Sequence, residues 1–415
     1  MRLELKKINP FKPNSPAPTA MFAGRINEIN TFEHGLHQTR NGSPTHFLIT
    51  GERGIGKSSL LMLYKPLADG SIATEYGNMN FVTINTSISP RTNLNTFIKI
   101  IDKGLKRELG KIESVRSFLN ETWSFVQRIK IMDSGIEKNS VAEEPDLIID
   151  DLAYSLAETC NRITNPEKGE QAKDGIVFFI DEADAASPEL HLGYFIKIVT
   201  EMLQQHNCTN VMFVIAGLPE VIGKLSDSHE SSLRIFHHLK VKELLKEDRY
   251  YVIEQGMSEG NRVNQDLTTI SDEAKSRIST LSEGYPHFIQ QFAYSAFDIN
   301  DDGEISEHDV LAGAFNEGGA LDSIGRRYYA SQYHEQIKSD EYRDVLAIMA
   351  ESLSAWVKKS EIRQKFTGSD QTLTDALKAL TNRKIILKNP SKLGEYRLQQ
   401  RGFALWIKMF GNRDK

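Results

Sequence analysis

The chain has 415 residues, a net charge of −6 and an ordinary globular composition, enough for two or three domains with proper cores. Its two cysteines, Cys160 and Cys208, are far apart and lack a CxxC spacing, which excludes a disulfide framework and a zinc site and fits a reducing compartment. No apolar run approaches the roughly eighteen residues of a membrane span, and the charged start (Arg2, Glu4, Lys6, Lys7) does not read as a signal peptide, so a cytoplasmic protein with no membrane partner is expected.

Residues 8–20 form a proline-rich lead-in that should be extended. From Phe22 the spacing turns helical, with Ile26, Ile29, Phe32 and Leu36 on one face. Arg25, by itself, reads as a surface ion-pair residue. His46–Thr50 is a short apolar run expected as a buried strand. Directly after it stands Gly51-Glu52-Arg53-Gly54-Ile55-Gly56-Lys57-Ser58-Ser59, then a helical run over 59–64 that Pro66 should end. Strand, glycine loop, helix is the setting that a phosphate loop requires; a plain glycine turn with a surface lysine needs no such setting. The residue types follow from the chemistry. Inward-pointing backbone N–H groups hold a triphosphate tail, and Gly51, Gly54 and Gly56 permit that concave turn where a Cβ would block it. Lys57 is placed to reach the β- and γ-phosphates, and Ser58 to offer its hydroxyl to Mg²⁺. Arg53, Ile55 and Ser59 complete the cradle, and the helix points its positive end at the same phosphates.

Residues 80–85 have a strand pattern, 91–130 are helical and amphipathic, and 129–141 read as a short hairpin turning at Ser134-Gly135. A helix over 144–163 and a polar loop over 164–174 follow. Ile176–Ile180 is five apolar residues in a row, expected as a central parallel strand buried on both faces. It ends in Asp181 and Glu182. At the carboxyl edge of a sheet, Asp181 can hold Mg²⁺, and Glu182 can orient or deprotonate an attacking water. The alternative, two acids capping the next helix, loses weight once a phosphate loop lies upstream. Val211–Ile215 is a fourth core strand and 239–243 a fifth; strands alternating with helices imply a parallel, doubly wound sheet. Arg234, just before the fifth, is either a finger reaching the γ-phosphate of a neighbouring subunit or a structural arginine at a helix end.

Residues 246–335 are mostly helical, with a helix starting near Pro286. Within them Asp298–Asp309 matches a calcium loop, except that Asp309 replaces the usual glutamate and no second copy exists; a polar turn between helices explains the same letters. Helices over 342–350, 359–365 and 371–383, then two strands over 385–398, spell a winged helix-turn-helix. Residues 357–413 hold thirteen Lys/Arg and four Asp/Glu, a basic module on an acidic body, which points to a polyanionic partner. The third helix would enter the major groove with Gln371, Thr372, Thr374, Asp375 and Lys378 facing the bases, while Lys388 and Lys392 on the wing meet phosphates; packing against protein is the alternative use of such a module.

With these residues in hand, the chain resembles the origin-recognition-complex-like AAA+ ATPases and the related signal-transducing P-loop ATPases over nearly its whole length. Phe22-Ala-Gly-Arg25-Ile-Asn-Glu28-Ile is similar to the motif that precedes the phosphate loop and lies near the adenine, and Gly51–Ser58 and Ile176–Glu182 match the two nucleotide motifs. The resemblance implies ATP rather than GTP, Mg²⁺, and switching or assembly driven by the nucleotide. Two departures weigh against fast hydrolysis: Ala216-Gly217-Leu218-Pro219 stands where the family has a polar sensor residue, and Gly284-Tyr-Pro-His287 where a sensor arginine is common. Gly217-Leu-Pro-Glu220 is also similar to the ATPase regulators of transposition. The expected architecture is an α/β P-loop NTPase of AAA+-like type: an N-terminal extension (1–21), an ATPase core (22–245), a helical lid (246–338) and a winged helix (339–415). The expected function is an Mg-dependent ATPase whose nucleotide state controls oligomerisation and DNA engagement; the alternative is a slow ATP switch whose winged helix recruits a protein effector.

Overall fold

The computed structural model describes residues 7–15, 21–111, 113–133, 145–353, 355–389 and 391–411. The chain divides into two compact units: Arg25–Lys242, and the residues up to Gly24 together with Glu243 onward. Among the described residues, no helix is long and apolar enough to cross a membrane.

In chain order, Arg25–Lys242 contains α1 (Ile26–Arg40), β1 (His46–Thr50), α2 (Lys57–Asp69), β2 (Val82–Ser87), α3 (Leu94–Leu109), α4 (Glu113–Thr122), α5 (Phe125–Asp133), α6 (Pro145–Thr164), β3 (Ile176–Asp181), α7 (Leu192–Gln205), β4 (Val211–Gly217), α8 (Val221–Ser228) and β5 (Phe236–Lys240). The five strands form one parallel sheet in the order β2-β3-β4-β1-β5. β1 and β4 are buried throughout and β3 is buried up to Asp181, which is why these strands read as unbroken apolar runs. Side-chain alternation splits the core between the two faces. Ile176, Phe178 and Ile180 join Phe213 and Ile215 in the cluster built with α3 to α7. Phe179 and Phe47 face the other way, onto Phe32 of α1, whose ring stacks on Tyr64 of α2 at 3.8 Å.

Several expectations need correction. Residues 125–133 are helical, so no hairpin strand begins at Ile129; the rest of that segment, with its turn at Ser134-Gly135, lies outside the described residues. The apolar alternation of Ile129 and Ile131 also fits a helix, and the helical context prevails. Pro66 does not end α2, which runs on to Asp69. The acceptor that Pro66 cannot serve is the carbonyl of Met62, a residue 57% exposed, where water can take the lost bond's place. The fifth strand spans Phe236–Lys240 rather than 239–243, fixed by its pairing of Phe236 with His46 and Lys240 with Thr50. It is an edge strand with His237, His238 and Lys240 exposed, so it lacks the apolar run that marks a central strand. β2 likewise lies two residues later than expected.

The second unit holds α9 (Lys246–Asn264), β6 (Thr269–Ile270), α10 (Asp272–Leu281), α11 (Pro286–Ile299), β7 (Glu304–Ile305), α12 (Glu307–Phe315) and α13 (Ala320–Ile324). Two π-helical stretches, Gly325–Tyr329 and Ser331–Gln336, continue from α13. Then come α14 (Asp340–Ala350), β8 (Val357–Lys358), α15 (Lys359–Lys365), α16 (Asp370–Asn382), β9 (Ile386–Lys388), β10 (Glu395–Leu398) and α17 (Arg401–Phe410), with an antiparallel sheet in the order β8-β10-β9. β8 and α17 were not expected from the sequence. α17 buries Phe403, Trp406, Ile407 and Phe410. Trp406 lies so close to Gly325 that a Cβ there would fall 1.8 Å from its Nε1. The Gly402 N–H at the start of α17 donates to Glu283 Oε1 at 2.8 Å. Burial raises the pKa of Glu283 against the pull of the Arg401 and Gly402 backbone N–H groups.

Two glycines separate packing from helix propensity. A Cβ on Gly193 of α7 would lie 2.2 Å from the Leu225 carbonyl, whereas one on Gly223 of α8 meets nothing within 4 Å. Gly193→Ala should destabilise by about 1–3 kcal/mol. Gly223→Ala should be neutral or stabilise by up to about 1 kcal/mol. Urea unfolding midpoints check both; equal midpoints would contradict the close approach of α7 and α8.

Candidate nucleotide site

The loop between β1 and α2 is shaped by its glycines. Gly54 and Gly56 have φ of 78° and 102°, the left-handed region that side chains avoid. At Gly51 the limit is space: a Cβ would lie 2.8 Å from Ile55 Cγ2 and 2.9 Å from the Val241 carbonyl. α2 starts with no side-chain cap and no acid in its first turn, so its positive end is not neutralised from within. Lys57 folds back over the loop, its Nζ donating to the carbonyls of Gly51 at 2.8 Å and Glu52 at 3.0 Å. Burial lowers its pKa, and the carboxylates of Asp184, Asp181 and Glu52 oppose the shift. Ile55 is buried, Arg53 is exposed and Ser59 is half-buried.

β3 brings the carboxylates to this loop. Ser58 Oγ donates to Asp181 Oδ2 at 2.6 Å, although Ser58 and Asp181 are 123 positions apart. The other oxygen, Oδ1, accepts the Glu182 N–H at 2.8 Å. Glu182 has φ 54°, so the chain turns sharply as it leaves the strand. Its Oε2 accepts from Ser87 Oγ at 2.9 Å, from the end of the neighbouring β2. Arg25, with φ 66° and a side chain 8% exposed, is no surface residue. Its Nη2 donates to the Ile55 carbonyl at 3.2 Å, and Glu28 lies 3.9 Å from its Nη1. Arg234 stands exposed on the short turn Ser232–Ile235, immediately before β5.

Three contacts escaped the sequence reading. Asp184 Oδ1 accepts the Leu218 N–H at 2.8 Å, and Lys224 Nζ donates to the carbonyls of Asp184 at 2.5 Å and Ala186 at 2.8 Å. This explains Gly217 at the end of β4, since a Cβ there would lie 3.0 Å from Asp184 Oδ1. Ser87 is the second. The third is Thr50, whose Oγ1 is 2.7 Å from His238 Nε2. The signal available for Asp184 was a third acid in Asp181-Glu182-Ala183-Asp184.

The residues expected to face nucleic acid lie on one helix and one hairpin. On α16, Gln371, Thr374, Asp375 and Lys378 are exposed and Thr372 half-buried, while Leu373, Ala376, Leu377 and Leu380 point inward. Gln371 Nε2 bonds Asp375 at 3.0 Å, Thr372 Oγ1 lies 2.8 Å from Ser369 Oγ, and Thr374 Oγ1 accepts from Lys359 at 2.9 Å. Lys388 and Lys392 are exposed on the β9–β10 hairpin. The calcium-like segment is a polar turn between α11 and α12. Asn300 Nδ2 bonds Asp302 Oδ1 at 2.8 Å, and Asp309 is committed to a capping box with Ser306. Among the described residues, no group of three or more His, Cys, Asp or Glu could hold a metal.

A glycine loop on β1 facing a carboxylate on β3, within a parallel 2-3-4-1-5 sheet, defines a P-loop nucleotide-binding core of the AAA+ kind. Residues 21–198 match the family model of the AAA ATPase domain. In the Aeropyrum pernix ORC2 protein, solved as ADPNP–ADP complexes, 97% of this chain aligns with 96% of that chain at 14% identity and a TM-score of 0.56. The ADP form of that protein gives 13% identity over 94% and 93% of the two chains with a TM-score of 0.49. The ORC1 protein of the same organism, in complex with DNA, gives 12%, 94%, 93% and 0.42. The fold assignment rests on the first of these. No curated protein matched the sequence. The chain carries an AAA ATPase domain, and its fold is that of the origin-recognition-complex-like AAA+ proteins.

β1 also carries a pH-sensitive group. His46 is 6% exposed, and burial lowers its pKa to about 4. Its Nδ1 accepts the Phe213 N–H at 3.1 Å, which requires the neutral ring. Between pH 6.5 and about 4 the unfolded chain binds a proton that the folded chain refuses, so stability must fall as pH drops through that window. The contribution is about 3 kcal/mol at full effect. His46→Gln should flatten this part of the profile in urea titrations at pH 7, 5.5 and 4; an unchanged slope would contradict the buried neutral ring.

Proposed function

We propose that this chain binds ATP with Mg²⁺ and hydrolyses it slowly, and that its nucleotide state governs self-association and the engagement of DNA by the C-terminal module. The observation that carries this reading is the pairing of Ser58 with Asp181 at 2.6 Å beside a lysine folded into a glycine loop. Mg²⁺ takes one or two protein oxygens, with waters and phosphates filling the rest of its octahedron, and one hydroxyl beside one carboxylate is such a donor set. When bound, the ion would screen the phosphate charges and fix their orientation. ADPNP and ADP in the similar ORC2 protein support an adenine nucleotide here.

This chain's residues then divide the work. Gly51–Ser59 cradle the phosphates through backbone N–H groups, and Lys57 exchanges its loop carbonyls for phosphate oxygens. Arg25 holds the loop from the adenine side. Glu182 takes the proton of the attacking water, and for that it must leave the Ser87 hydroxyl. Beyond β4 the Leu218 backbone is held by Asp184 and presents no polar side chain toward a phosphate, which favours slow turnover. Arg234 is the proposed finger, supplied to a neighbouring copy, worth roughly 10³–10⁵-fold in rate.

Residues 339–415 we read as a winged helix, with α16 entering the major groove and the β9–β10 hairpin meeting phosphates, and 246–338 as the lid. The basic excess of 357–413 supports DNA. The second reading, a slow switch that recruits a protein effector, draws on the Leu218–Asp184 arrangement.

Lys57→Ala should abolish nucleotide binding, measured by a fluorescent ATP analogue. Glu182→Gln should bind ATP normally and lose turnover by about 10²-fold or more; undiminished hydrolysis would remove the role assigned to Glu182. DNA affinity should fall with a log–log salt slope near −0.9 for each phosphate neutralised, and Lys388→Ala with Lys392→Ala should reduce that slope by about two. Salt-insensitive or absent binding to any DNA would favour the effector switch.

A further inference from the structure

One stripe of α9 carries Gly256, Gly260 and Asn264, spaced four residues apart and therefore stacked along one helix face. Residues Lys7–Lys12 run along that stripe, in an arrangement that neither the nucleotide site nor the C-terminal module uses. Phe11 is 1% exposed, and a Cβ on Gly256 would lie 2.2 Å from its ring, so the ring rests on bare helix backbone. The same ring meets Phe297 of α11 edge-on, centroids 6.5 Å apart. Pro10 repeats the arrangement over Gly260, where a Cβ would come within 2.9 Å of its Cγ.

Side-chain amides hold the backbone of this segment. Asn264 brackets Ile8: Oδ1 accepts the Ile8 N–H at 2.8 Å and Nδ2 donates to the Ile8 carbonyl at 2.9 Å. Gln290 Oε1 accepts the Lys12 N–H at 2.8 Å, and Asn9 Nδ2 donates to the Tyr294 carbonyl at 2.9 Å. Lys7 closes the end on Asp266 at 2.8 Å and Thr268 at 3.0 Å. A primary amide that takes both the N–H and the C=O of one residue recognises extended main chain and ignores the side chain, and the Ile8 side chain is indeed 63% exposed. Among the described residues, no ladder of backbone-to-backbone bonds ties 7–12 to the helices it crosses. This is how a groove holds a peptide, not how a helical core holds its own element.

We propose that α9 and α11 form a peptide-binding groove and that Lys7–Lys12 is its displaceable intramolecular ligand. The groove selects an extended segment, bracketed by Asn264 at one residue and anchored two and three positions later by a Pro-Phe pair on the glycine stripe.

The full chain with a specific protease site placed within residues 16–20 supplies the test. After cutting, a fluorescent peptide of residues 1–15 should exchange with the cleaved segment saturably, while the uncut chain takes up little. The Phe11→Ala peptide should compete about a hundredfold less well, the loss expected for a buried ring. Failure of the folded, cut chain to exchange, equal uptake by cut and uncut chains, or undiminished competition by the Phe11→Ala peptide would each overturn the proposal. Unfolding on cutting would do so as well, since it would make the segment an integral part of the core. An independent arm uses the uncut Phe11→Ala chain, whose own segment is weakened. That chain should bind the labelled native peptide where the wild type does not, and equal binding by the two would count against the groove.

Discussion

The hydrogen bond from Ser58 to Asp181 joins two strands that are not neighbours. β1 carries the glycine loop and β3 the carboxylate, and β4 lies between them. The pairing is possible only if the end of β4 stays low, and Ala216 and Gly217 keep it so. The parallel sheet makes this geometry natural, because all five strands deliver their carboxyl ends to one edge. Everything else at the site gathers there. Ser87 arrives from β2, Asp184 from the turn after β3, and Lys57 from the first residue of α2.

The same crowding explains a feature that looks like a defect in the sequence alone. Where related proteins carry a polar residue after the fourth strand, this chain has Gly217 and Leu218. The space is already filled by Asp184, whose carboxylate satisfies the Leu218 N–H, while Lys224 satisfies the carbonyl of Asp184. A side chain at Gly217 would collide with that carboxylate. The chain has thus moved a charged group to this position from a different strand, which no single-motif comparison can detect.

The parts of the fold legible in the sequence were those under strong local constraint. A buried parallel strand has to be apolar throughout, so β1, β3 and β4 stood out, and the glycine loop between β1 and α2 has few alternatives. The misjudged elements were governed by tertiary partners. β5 takes its bounds from pairing with β1 and shows an edge strand's polar residues. α2 continues through Pro66 because one missing bond on an exposed turn costs less than the packing of Leu67 and Ala68. α17 escaped notice because its apolar face is meaningful only beside Gly325, Tyr329 and Glu283, residues far away in the chain. At the site, Asp184 and Ser87 were invisible because their partners lie on other strands.

The π-helical turns between Gly325 and Gln336 bear on how the C-terminal module acquires its orientation. A π turn accommodates an additional residue without breaking the helix. Each residue gained or lost in such a segment rotates all that follows by about 100° and advances it by about 1.5 Å. Gly325 is pinned beneath Trp406, so the winding is fixed at one end by a contact returning from the last helix. A single insertion or deletion in these few residues would therefore swing α16 and the hairpin onto a different bearing while leaving their own packing intact, which makes this short segment the cheapest place for evolution to re-aim what the module touches.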